Sequence, residues 1–245
     1  MRRNLAFTII LAIIFTCTVS NEALNALSKA GQYTNGNKSI HGGQSELESP
    51  LIVSLVNPRN AIRPGCSGAL ITSQIVVSAA HCLGNDGKTY DDYVVFPDSI
   101  YVTYPGIEVG KDEVNNRVRV LEAVLEKGYT QTFNPAINDY RGQFDDIAFY
   151  FLEKPLVDKY EISVASFDEV EMVRTLNIPI DLYGYGLQNT GQQDGRPYKV
   201  TLQPYRDMSH ISVPILPKEK QIGAIETGEK ALCGGDSGGP WSVSY

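Results

Sequence analysis

From about residue 40 onward, the apolar residues of this 245-residue chain fall in short β-rich runs that turn residues separate. Runs of this length and spacing are typical of an antiparallel sandwich or barrel. We find no long amphipathic helix, internal repeat or low-complexity tract, so the sequence predicts an all-β domain. The clearest runs are Leu51 to Val56, Ala69 to Val77, Ile100 to Tyr104, Arg117 to Leu125, Ile147 to Leu152 and Ile180 to Tyr185.

A glycine-rich string, Cys233 to Pro240, places Ser237 between an aspartate and two glycines. Glycine permits backbone with φ > 0, which can point several N–H groups at one spot. A serine in such a turn is suited to act as a nucleophile whose neighbouring N–H groups stabilise an oxyanion. The same string is compatible with a plain surface turn, so by itself it leaves both interpretations open.

Two further strings offer the partners that a nucleophilic serine needs. A hydroxyl needs an imidazole to take its proton, and His81 follows a β-branched run in the string Ser78 to Cys82. The imidazole needs a carboxylate to fix its tautomer, and Asp146 directly precedes an apolar run. Taken singly, the two strings also fit a half-buried structural histidine and an ordinary turn aspartate.

In the order His, Asp, Ser, these strings resemble the chymotrypsin-like (trypsin-like) serine proteases. The resemblance extends from about Ile40 to the C-terminus, and it implies two antiparallel Greek-key β-barrels with the active site between them. Tyr183 to Gly186 matches the family's Gly-Trp-Gly segment with Tyr for Trp, and His41 stands where Val is usual. The matching segments are Ile40 to Gly43, Cys66 to Ile71, Asp146 to Ala148, Tyr183 to Gly186 and Gly235 to Pro240.

The resemblance implies a role for each residue of the three strings. Ser237 would be the nucleophile, and His81 would be the general base and then the general acid toward the leaving amine. Asp146 would orient His81. The backbone N–H groups of Gly235 and Ser237 would form the oxyanion hole.

Zymogen activation is a further implication of the resemblance. Asp236 would pair with the α-amino group of Ile40, which cleavage frees, and this pair would order the oxyanion loop. The family is usually cut after a basic residue directly before the new N-terminus, but Ser39 separates Lys38 from Ile40. Cleavage after Lys38, cleavage after Ser39 by a different activating protease, and an uncut chain in which Asp236 has another partner all stay open.

The N-terminus indicates the compartment. Two arginines precede an apolar run from Leu5 to Phe15, and small residues follow, as is typical of a secretory signal peptide. That run is too short for a stable membrane span, and no other segment is suited to one. We therefore expect a signal peptide at 1–20, a short propeptide at 21–39 and a protease domain at 40–245 in a secreted or periplasmic protein.

The cysteines agree with secretion. The resemblance pairs Cys66 with Cys82 and leaves Cys233 without a partner, because the family's partner cysteine lies downstream of the nucleophile. The sequence ends at Tyr245, whereas family members continue through the specificity-pocket wall and the last strands of the second barrel. We expect a fragment of a longer product with an incomplete second barrel; a truncated gene product is the alternative.

The resemblance also places the floor of the specificity pocket at Ala231, with Leu232 beside it. Members that cleave after Lys or Arg carry Asp at the floor position. An uncharged alanine therefore predicts that the side chain before the scissile bond, P1, is apolar or small.

Charge and composition limit the partners. A net charge of −7, without a basic patch, argues against nucleic acid. The scattered histidines give no zinc-site spacing, so we expect no metal and no cofactor. The acidic residues between positions 84 and 114 are interpreted as a solvated loop, with a calcium site as the alternative. We expect protein or peptide substrates, an activating protease as a further candidate partner, and a monomer.

Two function classes stay open at this point. The first is a secreted serine endopeptidase made as a zymogen. The second is a non-catalytic protease homologue that binds proteins, for which truncation is the only argument, because all three triad residues are present. An inactive truncated remnant is a third alternative.

Overall fold

Within the residues that the structure describes, the chain forms two large β-sheet units, a two-stranded hairpin and the α-helix α1 (Phe167–Leu176). The computed structural model describes residues 6–9, 43–47, 49–57, 65–83, 94–95, 97, 100–110, 116–127, 129–134, 139–144, 146–158, 162–186, 193–204, 224–225 and 235–244. The strands in these ranges are β1 (Ala6–Ile9), β2 (Gln44–Ser45), β3 (Ile52–Val56), β4 (Cys66–Thr72), β5 (Ile75–Ser78), β6 (Val94–Val95), β7 (Tyr101–Thr103), β8 (Arg117–Leu125), β9 (Thr130–Asn134), β10 (Asp139–Phe144), β11 (Ala148–Leu152), β12 (Ser163–Val164), β13 (Ile180–Gly184), β14 (Tyr198–Pro204), β15 (Ala224–Ile225) and β16 (Trp241–Ser244).

The first sheet closes on itself. Its strands follow the order β11-β5-β4-β3-β7-β8, and β11 pairs back with β8 to complete a six-stranded antiparallel barrel. The short strand β6 pairs with β8 in antiparallel orientation, while β9 and β10 form a separate hairpin. Closure gives every barrel strand two partners, so it removes the free edges at which a sheet would pair with another chain. This barrel confirms the all-β fold class.

A β-bulge in β8 shows how the sequence bends the barrel wall. Val118 and Val120 point inward, whereas further along the same strand Ala123 and Leu125 do so, which changes the inward phase from even to odd positions. The register with β11 shifts at the same place, because Phe151 lies opposite Glu122 and Leu152 lies opposite Val120. One extra residue on a strand produces such a shift and increases the local bend.

The second sheet has the order β12-β1-β16-β13-β14-β15, with β2 paired to β14. Strand β1 is parallel to β12 and antiparallel to β16, and it lies inside the segment that the sequence predicts to be a signal peptide. Helix α1 contributes Val173 to the core of this sheet. The buried residues of this core are Val173, Ile180, Leu182, Val200, Leu202, Ala224, Trp241 and Val243. The closure of this sheet into a second barrel stays a prediction.

Helix α1 begins at a complete capping box. The Ser166 hydroxyl accepts from the Glu169 backbone N–H, and the Glu169 carboxylate accepts from the Ser166 backbone N–H at 2.7 Å. The backbone N–H of Ser166 and then its hydroxyl, which also donates to this carboxylate at 2.8 Å, hold the pKa of Glu169 below its usual value. The helix ends at Leu176 and is capped by Asn177, whose left-handed conformation is typical of this position.

A third apolar cluster joins the two sheet units. It combines Leu51, Ile52 and Val56 from the first unit with Tyr183 and Tyr185 from the second. Burial raises the pKa of the Tyr185 phenol well above its usual range, so the phenol stays protonated and donates to the carbonyl of Ile107. Tyr185 is thereby fixed beside the strands of the closed barrel.

Within the described ranges, no α-helix combines the length and the apolar character that crossing a bilayer requires.

The predicted disulfide between Cys66 and Cys82 is present and is confirmed. It joins the start of β4 to the short 3₁₀ turn Ala80–Leu83 and encloses a loop with a sequence separation of 16 residues. Closing a loop of this size lowers the entropy of the unfolded chain. The disulfide therefore restrains the 3₁₀ turn at Cys82, the residue that follows His81.

We predict that the double substitution Cys66→Ala/Cys82→Ala lowers the free energy of unfolding by roughly 3 kcal/mol, because the unfolded chain regains the loop entropy. Urea unfolding followed by tryptophan fluorescence measures the change. The matched control is Cys233→Ala, which removes a thiol and leaves this disulfide intact. Equal stability of the double variant and the control would contradict the prediction.

Candidate active site

Strand pairing brings His81 and Asp146 to the same end of the closed barrel. Strands β5 and β11 are antiparallel, with Ser78 opposite Ala148. His81 follows the end of β5 in the 3₁₀ turn, and Asp146 lies just before the start of β11. Because antiparallel neighbours place the end of one strand beside the start of the next, the two side chains meet although 65 positions separate them in sequence.

The Asp146 carboxylate holds His81 with both of its oxygens. Oδ2 lies 2.7 Å from His81 Nδ1, and Oδ1 accepts the backbone N–H of His81 at 2.8 Å. The Asp146 side chain is only 1% exposed, whereas the His81 side chain is 25% exposed. A carboxylate only accepts hydrogen bonds, so Nδ1 carries the proton and Nε2 of the neutral ring keeps its lone pair. The arrangement makes Nε2 the basic atom.

The turn around Ser237 is built on two left-handed glycines. Gly235 has φ 97° and Gly238 has φ 77°, which other residues adopt only with strain. The carbonyl of Asp236 accepts the N–H of Gly239 at 3.0 Å. Because the peptide bond is trans, the N–H of Ser237 points away from that bond, out of the turn.

Strand β4 carries the contacts that attach this turn to the barrel. The Ser67 N–H donates to the carbonyl of Ser237 at 3.0 Å, and the Ser67 hydroxyl donates to the carbonyl of Gly235 at 2.8 Å. Ser67 also accepts the N–H of Tyr185 at 2.8 Å. Sequence reasoning did not identify Ser67. It lies within the matching segment Cys66 to Ile71 and is a polar residue in a largely apolar strand, but neither signal specifies a partner.

Asp236 lies buried against the segment Tyr183 to Gly186. Its Oδ1 accepts the N–H of Gly186 at 2.8 Å. A Cβ atom added at Gly184 would lie 1.9 Å from this same oxygen, and one added at Gly186 would lie 2.4 Å from it. Both glycines are therefore required by the close approach of the carboxylate, which explains the Gly-Tyr-Gly pattern of the sequence.

One group of side chains has the composition of a metal site. The potential ligand atoms of Cys66, His81 and Cys82 lie within 4.8 Å of one another. The two sulfur atoms are bonded to each other, so neither is available as a thiolate ligand. This cluster is therefore a disulfide packed beside a histidine.

Several predicted residues lie outside the described part of the chain. They are Ile40 of the proposed activation pair, Ala231 and Leu232 of the proposed specificity pocket, and Cys233. The structure therefore describes the His–Asp pair, the serine turn and Asp236, and the roles of all these residues remain predictions.

Comparison with known proteins gives matches over most of the chain. The family model described as "Trypsin" matches residues 40–244. The chain is 26% identical over 189 residues to a "Modular serine protease" of Drosophila melanogaster, covering 71% of this chain and 27% of that protein. It is 25% identical over 221 residues to the "Clotting factor G beta subunit" of Tachypleus tridentatus, covering 82% and 64%. The chain thus spans less than two thirds of either relative.

We predict that Gly184→Ala destabilises the fold by roughly 1–3 kcal/mol, because the new methyl group overlaps the Asp236 carboxylate in a buried site. Chemical denaturation of the variant and the parent protein measures the change. The same substitution in an Asp236→Gly background serves as the control, since the overlapping side chain is then absent. An equal cost in both backgrounds would show that the clash with Asp236 is not the cause.

Proposed function

Because the chain belongs to the trypsin family, we propose that it is a secreted serine endopeptidase that cleaves protein or peptide substrates through an acyl-enzyme. The observation that carries the proposal is the His81–Asp146 pair, in which a buried carboxylate takes both the ring Nδ1–H and the backbone N–H of one histidine. A half-buried structural histidine does not need a buried anion that binds both its ring and its backbone.

In the proposed mechanism, Ser237 Oγ attacks the scissile carbonyl carbon while His81 Nε2 takes the hydroxyl proton. The C–O bond forms as the carbonyl π electrons move onto oxygen. His81 then gives its proton to the leaving amine, the C–N bond breaks, and an ester to Ser237 remains. Water, deprotonated by His81 in the same way, hydrolyses that ester and restores the free serine.

Charge develops at two points in this reaction, on the imidazole and on the carbonyl oxygen, and we assign stabilising groups to both. The imidazolium that forms at His81 lies against the Asp146 carboxylate, which is almost fully buried and therefore little screened by water. We assign the oxyanion to the N–H groups of Gly235 and Ser237. The bond from Gly239 to the Asp236 carbonyl supports this assignment for Ser237, because it turns the Ser237 N–H outward.

We further propose that the protein is made as a zymogen with a signal peptide at 1–20 and a propeptide at 21–39. Cleavage before Ile40 would create an α-ammonium group that pairs with Asp236. The burial of Asp236 supports this assignment, because a buried carboxylate is stabilised by a cation at close range. The names of the two relatives, a serine protease and a clotting-factor subunit, agree with an extracellular protease.

The decisive experiment is intact mass spectrometry of the secreted native protein, with and without a fluorophosphonate probe. We expect one adduct per chain and its loss in Ser237→Ala, because the probe needs an activated serine. The mass also reports where the chain begins, and we expect the reactive form to begin at Ile40. Folded protein without an adduct would overturn the enzyme proposal and favour a binding role.

The preference for the substrate's P1 side chain is a separate prediction. We propose that Ala231 and Leu232 contribute to an apolar, uncharged pocket, so kcat/KM should be higher for P1-Phe, P1-Leu or P1-Ala peptides than for a P1-Arg peptide. A matched set of peptides that differ only at P1 measures this, and Ala231→Asp is the companion variant. Because that substitution adds a charge at the pocket floor, it should raise the relative rate on P1-Arg. Preference of the parent enzyme for P1-Arg would contradict the assignment.

A further inference from the structure

We propose that Ser67 is a positioning residue for the oxyanion turn, acting through its buried hydroxyl on the backbone of Gly235. The proposal rests on the function proposed above. It adds a residue outside the triad that sets the shape of the turn. Ser67 is fully buried on β4, a strand of the closed barrel, and it touches the serine turn with both its side chain and its backbone.

The donor and acceptor roles of the Ser67 hydroxyl can be assigned in only one way. The carbonyl of Gly235 can only accept, and the backbone N–H of Tyr185 can only donate. The Ser67 hydroxyl therefore gives its proton to Gly235 and takes the proton of Tyr185, each at 2.8 Å. One side chain thus connects the serine turn to the Tyr183 to Gly186 segment. Without it, both backbone groups lose their partner in a buried region.

Gly235 is a residue at which such a restraint has an effect. Its φ of 97° lies in a region that glycine occupies as one choice among several, so the backbone at Gly235 has alternative orientations of similar energy. Fixing the Gly235 carbonyl fixes the peptide plane that follows it. The Ser67 N–H fixes the Ser237 carbonyl at 3.0 Å. A single residue therefore holds the carbonyls on both sides of Asp236.

The same residue connects the turn to the histidine. The carbonyl of Ser67 accepts the hydroxyl of Ser78 at 2.6 Å, and Ser78 is the last residue of β5, two positions before the 3₁₀ turn that contains His81. A Cβ added at Gly238 would lie 2.1 Å from the Ser78 hydroxyl, so the serine turn also packs against this bond. The proposed nucleophile, Ser237, and the proposed base, His81, are thus both positioned relative to Ser67.

Ser54 offers a closely matched control. It lies directly opposite Ser67 in the pairing of β3 with β4, and it is equally buried. Its hydroxyl donates to the carbonyl of Cys66 at 3.4 Å, inside the barrel wall. Ser54→Ala therefore removes the same group from the same barrel at the same depth, but it leaves the bonds to Gly235 and Tyr185 in place.

The experiment compares the parent protein, Ser67→Ala and Ser54→Ala as full secreted chains. We expect Ser67→Ala to lower kcat roughly 10- to 100-fold with little change in KM, because a misplaced oxyanion donor weakens transition-state binding more than substrate binding. Ser54→Ala should stay within about 2-fold of the parent kcat. Rates are normalised to fluorophosphonate-titrated sites, so partial misfolding does not enter the comparison. Ser67→Thr, which keeps the hydroxyl, should recover most of the loss.

Hydrogen exchange supplies a readout that does not need activity. Peptides covering residues 235–239 should exchange faster in Ser67→Ala than in the parent or in Ser54→Ala. If the parent lacks probe reactivity while this difference appears, the proposed enzyme function fails and the positioning of the turn stands. If the parent is reactive and the two alanine variants match each other in both kcat and exchange, the Ser67 proposal is overturned. Failure of Ser67→Thr to exceed Ser67→Ala in kcat would also overturn it.

Discussion

The pairing of β5 with β11 is the constraint on which the site depends. Its register sets Ser78 opposite Ala148, and that single alignment decides whether His81 and Asp146 meet. A shift of one residue would also turn every inward side chain of β11 toward the solvent. Since Ala148, Tyr150 and Leu152 are buried in the barrel core, hydrophobic burial opposes any such shift. The geometry of the His–Asp pair is therefore maintained by apolar packing several residues away.

The two buried carboxylates are held in similar ways but by different parts of the fold. Asp146 takes a backbone N–H and a ring N–H from one turn of the closed barrel. Asp236 takes a backbone N–H from Gly186, in the segment that follows β13. In both cases a fixed backbone donor offsets part of the cost of removing a charge from water. The site thus combines an acidic group from each of the two sheet units with the bridging strand β4.

Much of the closed barrel was predictable because its signals are local. The runs Leu51 to Val56 and Arg117 to Leu125 correspond closely to β3 and β8, since each is a short run rich in β-branched and other apolar residues that can be identified within one strand. The run Ala69 to Val77 is instead two strands joined by a turn at Ser73 and Gln74, because two apolar strands with a two-residue turn read as one run.

Helix α1 was not identified, although Ser166 and Glu169 have capping-box spacing, because its apolar face is weak. The strings of His81, Asp146 and Ser237 each kept a structural alternative when taken singly, and their order, which resembles that of the family, joined them into one predicted site. Ser67 needed the structure, since its two partners are 118 and 168 positions away and nothing local indicates them.

The order of these elements along the chain has a consequence for biosynthesis. The six barrel strands lie between residues 52 and 152, so the ribosome synthesises the chain of this barrel well before the serine turn. Translation at about 5–20 residues per second leaves a delay of roughly 5 to 20 s between the two events. During that time His81 and Asp146 can be paired while no nucleophile yet exists. The proposed serine site therefore cannot assemble until residues 235–239 have been synthesised, after the whole chain of the barrel.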